Sequence, residues 1–325
     1  MADTLTTRGG EIDAEVNNLY SRQLLTRAQP ALLHNRFAQV RDIPMHSGTD
    51  IIKFRKYGDL TANTTALTEG VTPTGKQLSI TDITATVLRY GDYVTFTDKV
   101  LTETMDPILM ETAEILGDQM GDTLDQLCRD ILVAGTTIQY ASTATAVNEV
   151  SAAMKLTRAE IKEAVRTLRG NNAKPMTEMV DPTNAYNTIP IGRSFVGIIS
   201  EDTLYDLDDA DGWIPVENYP SKATVMPDEV GSLANVRFIM STNAKVKSAE
   251  GVDSNDVHVT VILAKEAYGQ SRISGEAVKN IIKPLGSAGS ADPLDQRQTS
   301  GWKATYVAKI LQQGFLVVIN HGVSA

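Results

Sequence analysis

Cysteine is nearly missing from this chain: Cys128 is the only one among 325 residues. A lone thiol excludes an intrachain disulfide and any zinc site built from several cysteines, and it suits synthesis in a reducing compartment. Long hydrophobic runs are also lacking. The longest, such as Phe315 to Ile319, fall far short of the roughly 20 apolar residues that a membrane-spanning helix needs. The opening Met1-Ala2-Asp3-Thr4 has neither the basic start nor the apolar run of a secretory signal. The expectation is a cytosolic chain with no membrane partner. Basic residues are outnumbered, 30 Lys plus Arg against 40 Asp plus Glu, for a net charge of -10. Phosphate neutralisation therefore cannot drive whole-molecule binding to nucleic acid, and the sequence shows no basic stripe. Internal repeats, low-complexity tracts and clean linkers are absent as well. What remains is ordinary for a soluble protein. Hydrophobic residues make up 42% and charged residues 22%, enough apolar surface for a sizeable core, and the length suits one large domain or two lobes.

Residues 1 to 50 mix polar residues with short apolar patches, Leu24-Leu25 and Leu32-Leu33, around Pro30, which breaks any long helix. This reads as an extended arm with a short helix. From Ile51 to Asp98 the pattern turns β-branched and aromatic, with Ile51 to Phe54 and Ile80 through Phe96 flanking a centre rich in Thr, Gly and Pro. Two long strands joined by a large loop are expected, and a loop of that length in a compact protein is functional or disordered. After Asp106-Pro107, an N-cap followed by proline at the first helical position, apolar residues recur at Ile108, Leu109, Ile115, Leu116, Met120, Leu124, Leu127, Cys128, Ile131 and Leu132. That spacing predicts one helix ending near Gly135 and about 40 Å long. Thr157 and Glu160 have capping-box spacing, and Ile161, Ala164, Val165 and Leu168 follow on one face before Gly170. Strands are expected at Phe195–Ile199, Val236–Met240, Val257–Leu263 and Phe315–Ile319, so the second half reads as mixed α+β.

Several segments look chemical and fail on inspection. Gly70-Val71-Thr72-Pro73-Thr74-Gly75-Lys76 matches the first seven positions of a phosphate-binding loop, but Gln77 stands where Ser or Thr must ligate magnesium. Pro73 also removes an amide donor, and a strand-like Leu78-Ser79-Ile80 follows where a helix should begin. A structural loop tip is the better reading. Asp206, Asp208, Asp209 and Asp211, with Glu201 and Asp202, supply hard oxygen atoms, yet their spacing about Gly212 is wrong for an EF-hand, so a solvated acidic loop is expected. Gly192-Arg193-Ser194-Phe195-Val196 lacks the second glycine of a nucleophile elbow. Cys128, on the apolar stripe, reads as core. His34, His46, His258 and His321 show no paired ligand spacing, and His258, in an alternating strand, is expected to face solvent. Trp213, Tyr219 and Trp302 read as packing anchors. No catalytic residue, cofactor site or metal site is assigned, and the chain is not expected to be an enzyme.

A resemblance explains the unassigned loop. Leu67 to Pro73, Tyr90-Gly91-Asp92-Tyr93 with Thr97-Asp98, Arg129-Asp130 running into Ala134-Gly135, and Tyr186-Asn187-Thr188-Ile189 carry it. So do Glu229-Val230-Gly231 with Arg237-Phe238, Ala267-Tyr268-Gly269, Ile281 through Gly289, Asp292-Pro293-Leu294 and Gly301-Trp302-Lys303. In these segments, and in their order, the chain from about residue 20 onward resembles the major capsid proteins of the N4-like family of tailed bacteriophages.

The resemblance implies the HK-97-like capsid fold, an α+β architecture. Its expected parts are an N-terminal arm (1–50), an extended β-hairpin loop (51–98), a peripheral domain (99–150) whose spine helix spans 107–134, and an axial domain (151–325) with strands returning to the peripheral domain. The implied function is structural: self-assembly of hexamers and pentamers into the icosahedral shell of a virion around double-stranded DNA, in the host cytoplasm. The loop tip, Thr68, Glu69, Gly70, Val71, Thr72, Pro73 and Thr74, becomes an expected inter-subunit contact. Implied partners are a separate scaffolding protein, a portal protein, decoration proteins and packaged DNA, contacted non-specifically on the inner face. Lys76 and Asn63 match no defensible isopeptide motif, so crosslinking is left unassigned. Two rival readings are a cellular nanocompartment shell of the same fold and an enzyme binding metal through the acidic 201–211 segment.

Overall fold

The computed structural model describes Leu24 and residues 32–58, 60–103, 108–178, 192–220, 225–275, 278–289 and 292–324. Most of the expected arm, the Asp106-Pro107 helix start and the Tyr186–Ile189 segment lie outside the described residues. The described chain begins with strands β1 (Gln39–Val40), β2 (Ile51–Tyr57), β3 (Ile80–Thr86) and β4 (Leu88–Thr97). Helices α1 (Asp98–Glu103) and α2 (Ile108–Val133) follow, then β5 (Ile138–Tyr140) and α3 (Arg158–Gly170). Next come β6 (Phe195–Ile199), α4 (Glu201–Asp208), β7 (Ile214–Pro215), β8 (Glu229–Leu233) and β9 (Val236–Met240). The chain continues through β10 (Val246–Lys247), β11 (Val257–Leu263), β12 (Tyr268–Ser271), β13 (Val278–Lys283), β14 (Arg297–Ile310) and β15 (Leu316–His321).

Helix α2 forms where the apolar spacing puts it, with Ala113, Leu116, Met120, Leu124, Cys128 and Leu132 buried along one stripe. Ile115 was expected on that stripe and is exposed instead, because it lies about 100° round the helix from its buried neighbour Leu116. The helix stops at Gly135, whose N–H donates to the Leu132 carbonyl at 3.0 Å. Helix α3 opens as a capping box: the Thr157 N–H donates to the Glu160 carboxylate at 2.5 Å, and a further bond from the Ser142 N–H at 3.0 Å anchors that carboxylate. It ends through Asn171 and Asn172, the latter at φ 57°, rather than at Gly170 itself.

The larger sheet has the order β5-β15-β11-β6-β9-β8-β7, with β10 beside β11. Strands β6, β11 and β15 are buried at every position, as near-continuous apolar runs require when both faces are covered. Val259, Val261, Leu316 and Val318 face α2. Ile262, Val317 and Ile319 face Ile161 and Leu168 of α3 and Leu207 of α4 on the other side. A second sheet has the order β1-β12-β14-β13, with β4 also on β14. Its residues Trp302, Ala304, Tyr306 and Ala308 pack into the same core as α2, so one helix serves two sheets.

The expected unbroken strand from Ile80 to Phe96 is two strands. Val87 is buried between them, and its N–H donates to the Asp50 carbonyl at 2.9 Å. Before it, β3 pairs with β2; after it, β4 pairs with β14. The residue pattern runs on unchanged because a change of pairing partner leaves no mark on local periodicity. Strand β14 itself was not anticipated, since Gly301, Ala304 and Ala308 dilute its β-branched character.

Residues 32–43 are fastened to α2 by buried polar groups. The His34 N–H donates to Asp125 at 2.7 Å, and His34 Nδ1 lies 2.7 Å from the other oxygen of that carboxylate. Cys128 Sγ donates to the His34 carbonyl at 3.4 Å, and so does the Tyr268 hydroxyl. Burial pushes the Cys128 thiol up to about 12, which makes it an inert core residue, as its place on the stripe suggested.

Candidate assembly site

Strands β2 and β3 form a hairpin of seven residue pairs, from Ile51 opposite Thr86 to Tyr57 opposite Ile80. Its base is held by Ile43, Ile52, Phe54, Ala85 and Val87 in a small apolar cluster. A two-stranded ribbon has little stability of its own, so that cluster fixes the direction in which the hairpin leaves the body. Beyond Tyr57 the Gly58 N–H donates to the Ser79 carbonyl at 2.9 Å. Residues 60–79 have no regular structure.

Thr68, Glu69, Gly70, Val71, Thr72, Pro73 and Thr74 are all exposed and form the bend of this segment. The Val71 N–H donates to the Thr68 carbonyl at 3.2 Å, and Gly70 takes φ +77°, a conformation open to glycine at no steric cost. Lys76 reaches back to the Thr61 carbonyl and hydroxyl. The few large apolar groups of the loop face outward: Leu67 is 74% exposed and Val71 63%, with Leu60 and Leu78 exposed near its ends. Large apolar side chains held out in solvent on one loop mark a contact surface, and none of these four is buried by the described residues of its own chain. The phosphate-loop match is thereby disposed of: Gly70–Lys76 sits in an extended loop, and a strand follows it.

The remaining chemical candidates are structural. The acidic segment at 201–211 is not a loop: Glu201–Asp208 is helix α4, started by Ser200 and amphipathic through Thr203 and Leu207. Asp206 accepts from the Ser324 N–H at 2.8 Å and pairs with Lys155 at 3.0 Å, while Asp211 pairs with Arg158 at 3.0 Å. Among the described residues no three His, Cys, Asp or Glu side chains gather as metal ligands. Ser194 donates to the Gly192 carbonyl at 2.8 Å and is fully buried. Trp302 Nε1 donates to Gln119 on α2 at 3.1 Å, the Tyr219 hydroxyl donates to Glu229 at 2.8 Å, and Trp213 stacks obliquely on Phe238. They are the packing anchors expected.

His258 contradicts its expected exposure. It is buried on β11, where both sheet faces are covered, and it lies opposite His321 of β15 with ring centroids 6.3 Å apart. His258 Nδ1 is 2.8 Å from Ser200 Oγ, and Asp202 is 3.9 Å from Nε2. This set resembles a serine triad only in composition. Ser200 Oγ is also tied to Thr203 at 2.8 Å in the buried interior, and the Asp202 contact is too long for a hydrogen bond. His321 Nδ1 donates to the Gly322 carbonyl at 3.0 Å, so its Nε2 accepts from Thr260 at 2.9 Å as a neutral ring. Burial, reinforced by His258, pushes His321 down to about 4.

No protein-family model and no curated protein matches the sequence. Solved structures do match. The capsid protein of Ralstonia phage GP4 aligns at a TM-score of 0.68 and 13% identity, over 90% of this chain and 88% of that one. The capsid protein of cyanophage Pam1 aligns at 0.65 and 13% identity, over 100% of this chain and 95% of that one. The chain has the HK-97-like fold of tailed-phage major capsids. A third capsid, that of cyanophage P-SCSP1u, aligns at 0.64 and 12% identity over 90% and 89% of the two chains. At these identities the likeness is of fold rather than of shared side chains. The match spans nearly the whole chain, so this fold accounts for the hairpin as well as the body.

Proposed function

We propose that the chain is the major capsid subunit of a tailed bacteriophage, a structural protein that assembles copies of itself into a closed icosahedral shell around double-stranded DNA. The observation that carries this is the capsid fold along nearly the full chain, combined with an exposed loop that its own subunit leaves uncovered. The quoted segments favour the N4-like family in particular. In this reading residues 1–50 are the arm, 51–98 the extended loop, 99–150 the peripheral domain with α2 as its spine, and 151–325 the axial domain. Thr68 to Thr74 at the loop tip lies across a neighbouring subunit, where the outward Leu67 and Val71 are buried. Hexamers and pentamers close the shell with the help of a separate scaffolding protein, a portal protein fills one vertex, and the subunit performs no catalysis.

Many modest interfaces, each of about 1,200–2,000 Å², suffice in such a shell because ring closure multiplies them. Co-expression with the scaffolding protein should yield closed shells visible by electron microscopy and sedimenting as one large species. Monomers and dimers alone, under all such conditions, would refute the assignment.

A further inference from the structure

The sequence shows no basic stripe, yet strand pairing builds a basic face. On β14 the even-numbered residues from Gln298 to Ala308 are buried, and Trp302 reaches α2, so the odd-numbered ones point away from the helix. The registers place Tyr93 beside Gly301, Gly91 beside Lys303 and Ile281 beside Gly301. Strand β13 alternates cleanly, with Lys279, Ile281 and Lys283 exposed. At the positions of β4, β13 and β14 that face away from α2, every charged side chain is a cation. Arg89, Lys279, Lys283 and Lys303 lie on this face in a chain of net charge -10, and Arg297 at its end is near Asp292, at 3.7 Å.

A groove of about 500 Å³ runs over the same face. Gly91 and Gly301 form its floor; a Cβ on Gly301 would lie 2.6 Å from Tyr93 Cβ, and one on Gly91 would lie 2.5 Å from the Trp302 carbonyl. Only bare backbone lets the strands meet there. Tyr93 and Ile281 are exposed beside the floor. Arg89 and Lys303 line the groove together with Asp92, whose carboxylate accepts from Gln119 of α2 at 2.7 Å, so the groove has an apolar centre and a rim of two cations to one carboxylate. Among the described residues, β4 pairs on one edge only, with β14, and its other edge can receive an extended segment.

We propose that this face docks an acidic protein other than this chain, one extended segment of which seats an apolar side chain over Gly91 and Gly301. The cations would steer and orient the segment, and the apolar centre would hold it. Duplex DNA suits the rim but not the apolar centre, since phosphate binding needs charge alone. The loop at residues 60–79 of a second copy carries Glu69 and Lys76 as its only charges and brings no net negative charge. The inference extends the shell reading, but its test uses the free full-length subunit, so either can fail without the other.

Fluorescence anisotropy would be measured with a short peptide of glutamates around a single phenylalanine, with the same peptide carrying serine in its place, and with duplex DNA. The phenylalanine peptide should bind, and the double variant Lys283→Glu/Lys303→Glu should weaken it about tenfold without moving the melting temperature. Tyr93→Ser should weaken it several-fold, and the serine peptide should bind as poorly. No binding, equal affinity for both peptides, or tighter binding of DNA through the same lysines would overturn the proposal. So would loss of subunit self-association in the double variant with no peptide present, which would make the face a contact between copies.

Discussion

Strands β2 and β11 are both seven residues long, and both lie in antiparallel pairs. In β2, Ile-Ile-Lys-Phe-Arg-Lys-Tyr, only Ile52 and Phe54 are buried; in β11, Val-His-Val-Thr-Val-Ile-Leu, every residue is. Strand β11 is paired on both edges, by β15 on one side and by β6 and β10 on the other, and β2, among the described residues, only by β3. The two also differ in what covers their faces. Helices α2, α3 and α4 cover β11, whereas β2 has a small cluster at its base and solvent beyond. Hydrogen bonding between strands contributes little net stability compared with the burial of apolar area. The body should therefore hold the folding energy, and the hairpin should be free to serve a neighbour.

The sharpest way to break this contrast is to strike the buried polar fastening of the body. Asp125→Ala leaves the His34 N–H and ring without their acceptor in a dry interior, and should cost about 3–5 kcal/mol in denaturant unfolding of the free subunit. A loss under about 1 kcal/mol would mean that residues 32–43 are not fastened through this pair. Truncation in the doubly covered sheet comes next: Ile262→Ala should cost about 3 kcal/mol through lost transfer energy and a residual cavity. An equivalent cut at exposed Ile80 should register within about 0.5 kcal/mol.

Acid should also act on the body and spare the hairpin. The folded protein keeps His321 neutral down to about pH 4, while an unfolded chain protonates it near 6.5. The unfolded state thus takes the proton first. Stability is whole above about pH 6.5 and falls as pH drops toward 4, by about 3 kcal/mol. Unfolding free energies measured across that window should show this slope, and His321→Asn should flatten it; an unchanged slope would point to other groups. The smallest expected effect on folding is at the loop. Replacing Gly58–Ser79 by an Asn-Gly turn should shift monomer stability by less than about 0.5 kcal/mol, yet abolish shell assembly. Shells of normal size from the shortened chain would show that the loop is not the inter-subunit clasp.

Local signals in the sequence were sufficient wherever one element decides its own form. The four-residue recurrence from Leu116 to Leu132 announced α2, Thr157 with Glu160 announced the start of α3, and the Thr- and Gly-rich stretch between two β-patterned runs announced the hairpin and its loop. These features depend on residues within a turn or two of each other, and the chain carries them before it folds. Three others came only from tertiary structure. Val87 is where one strand trades β2 for β14, His258 meets His321 across a covered sheet, and cations from three separate strands come to share one face. In each case the outcome depends on which distant segment lies alongside, and helices covering both faces of β11 turned an alternating strand, with a histidine expected to face water, into buried core.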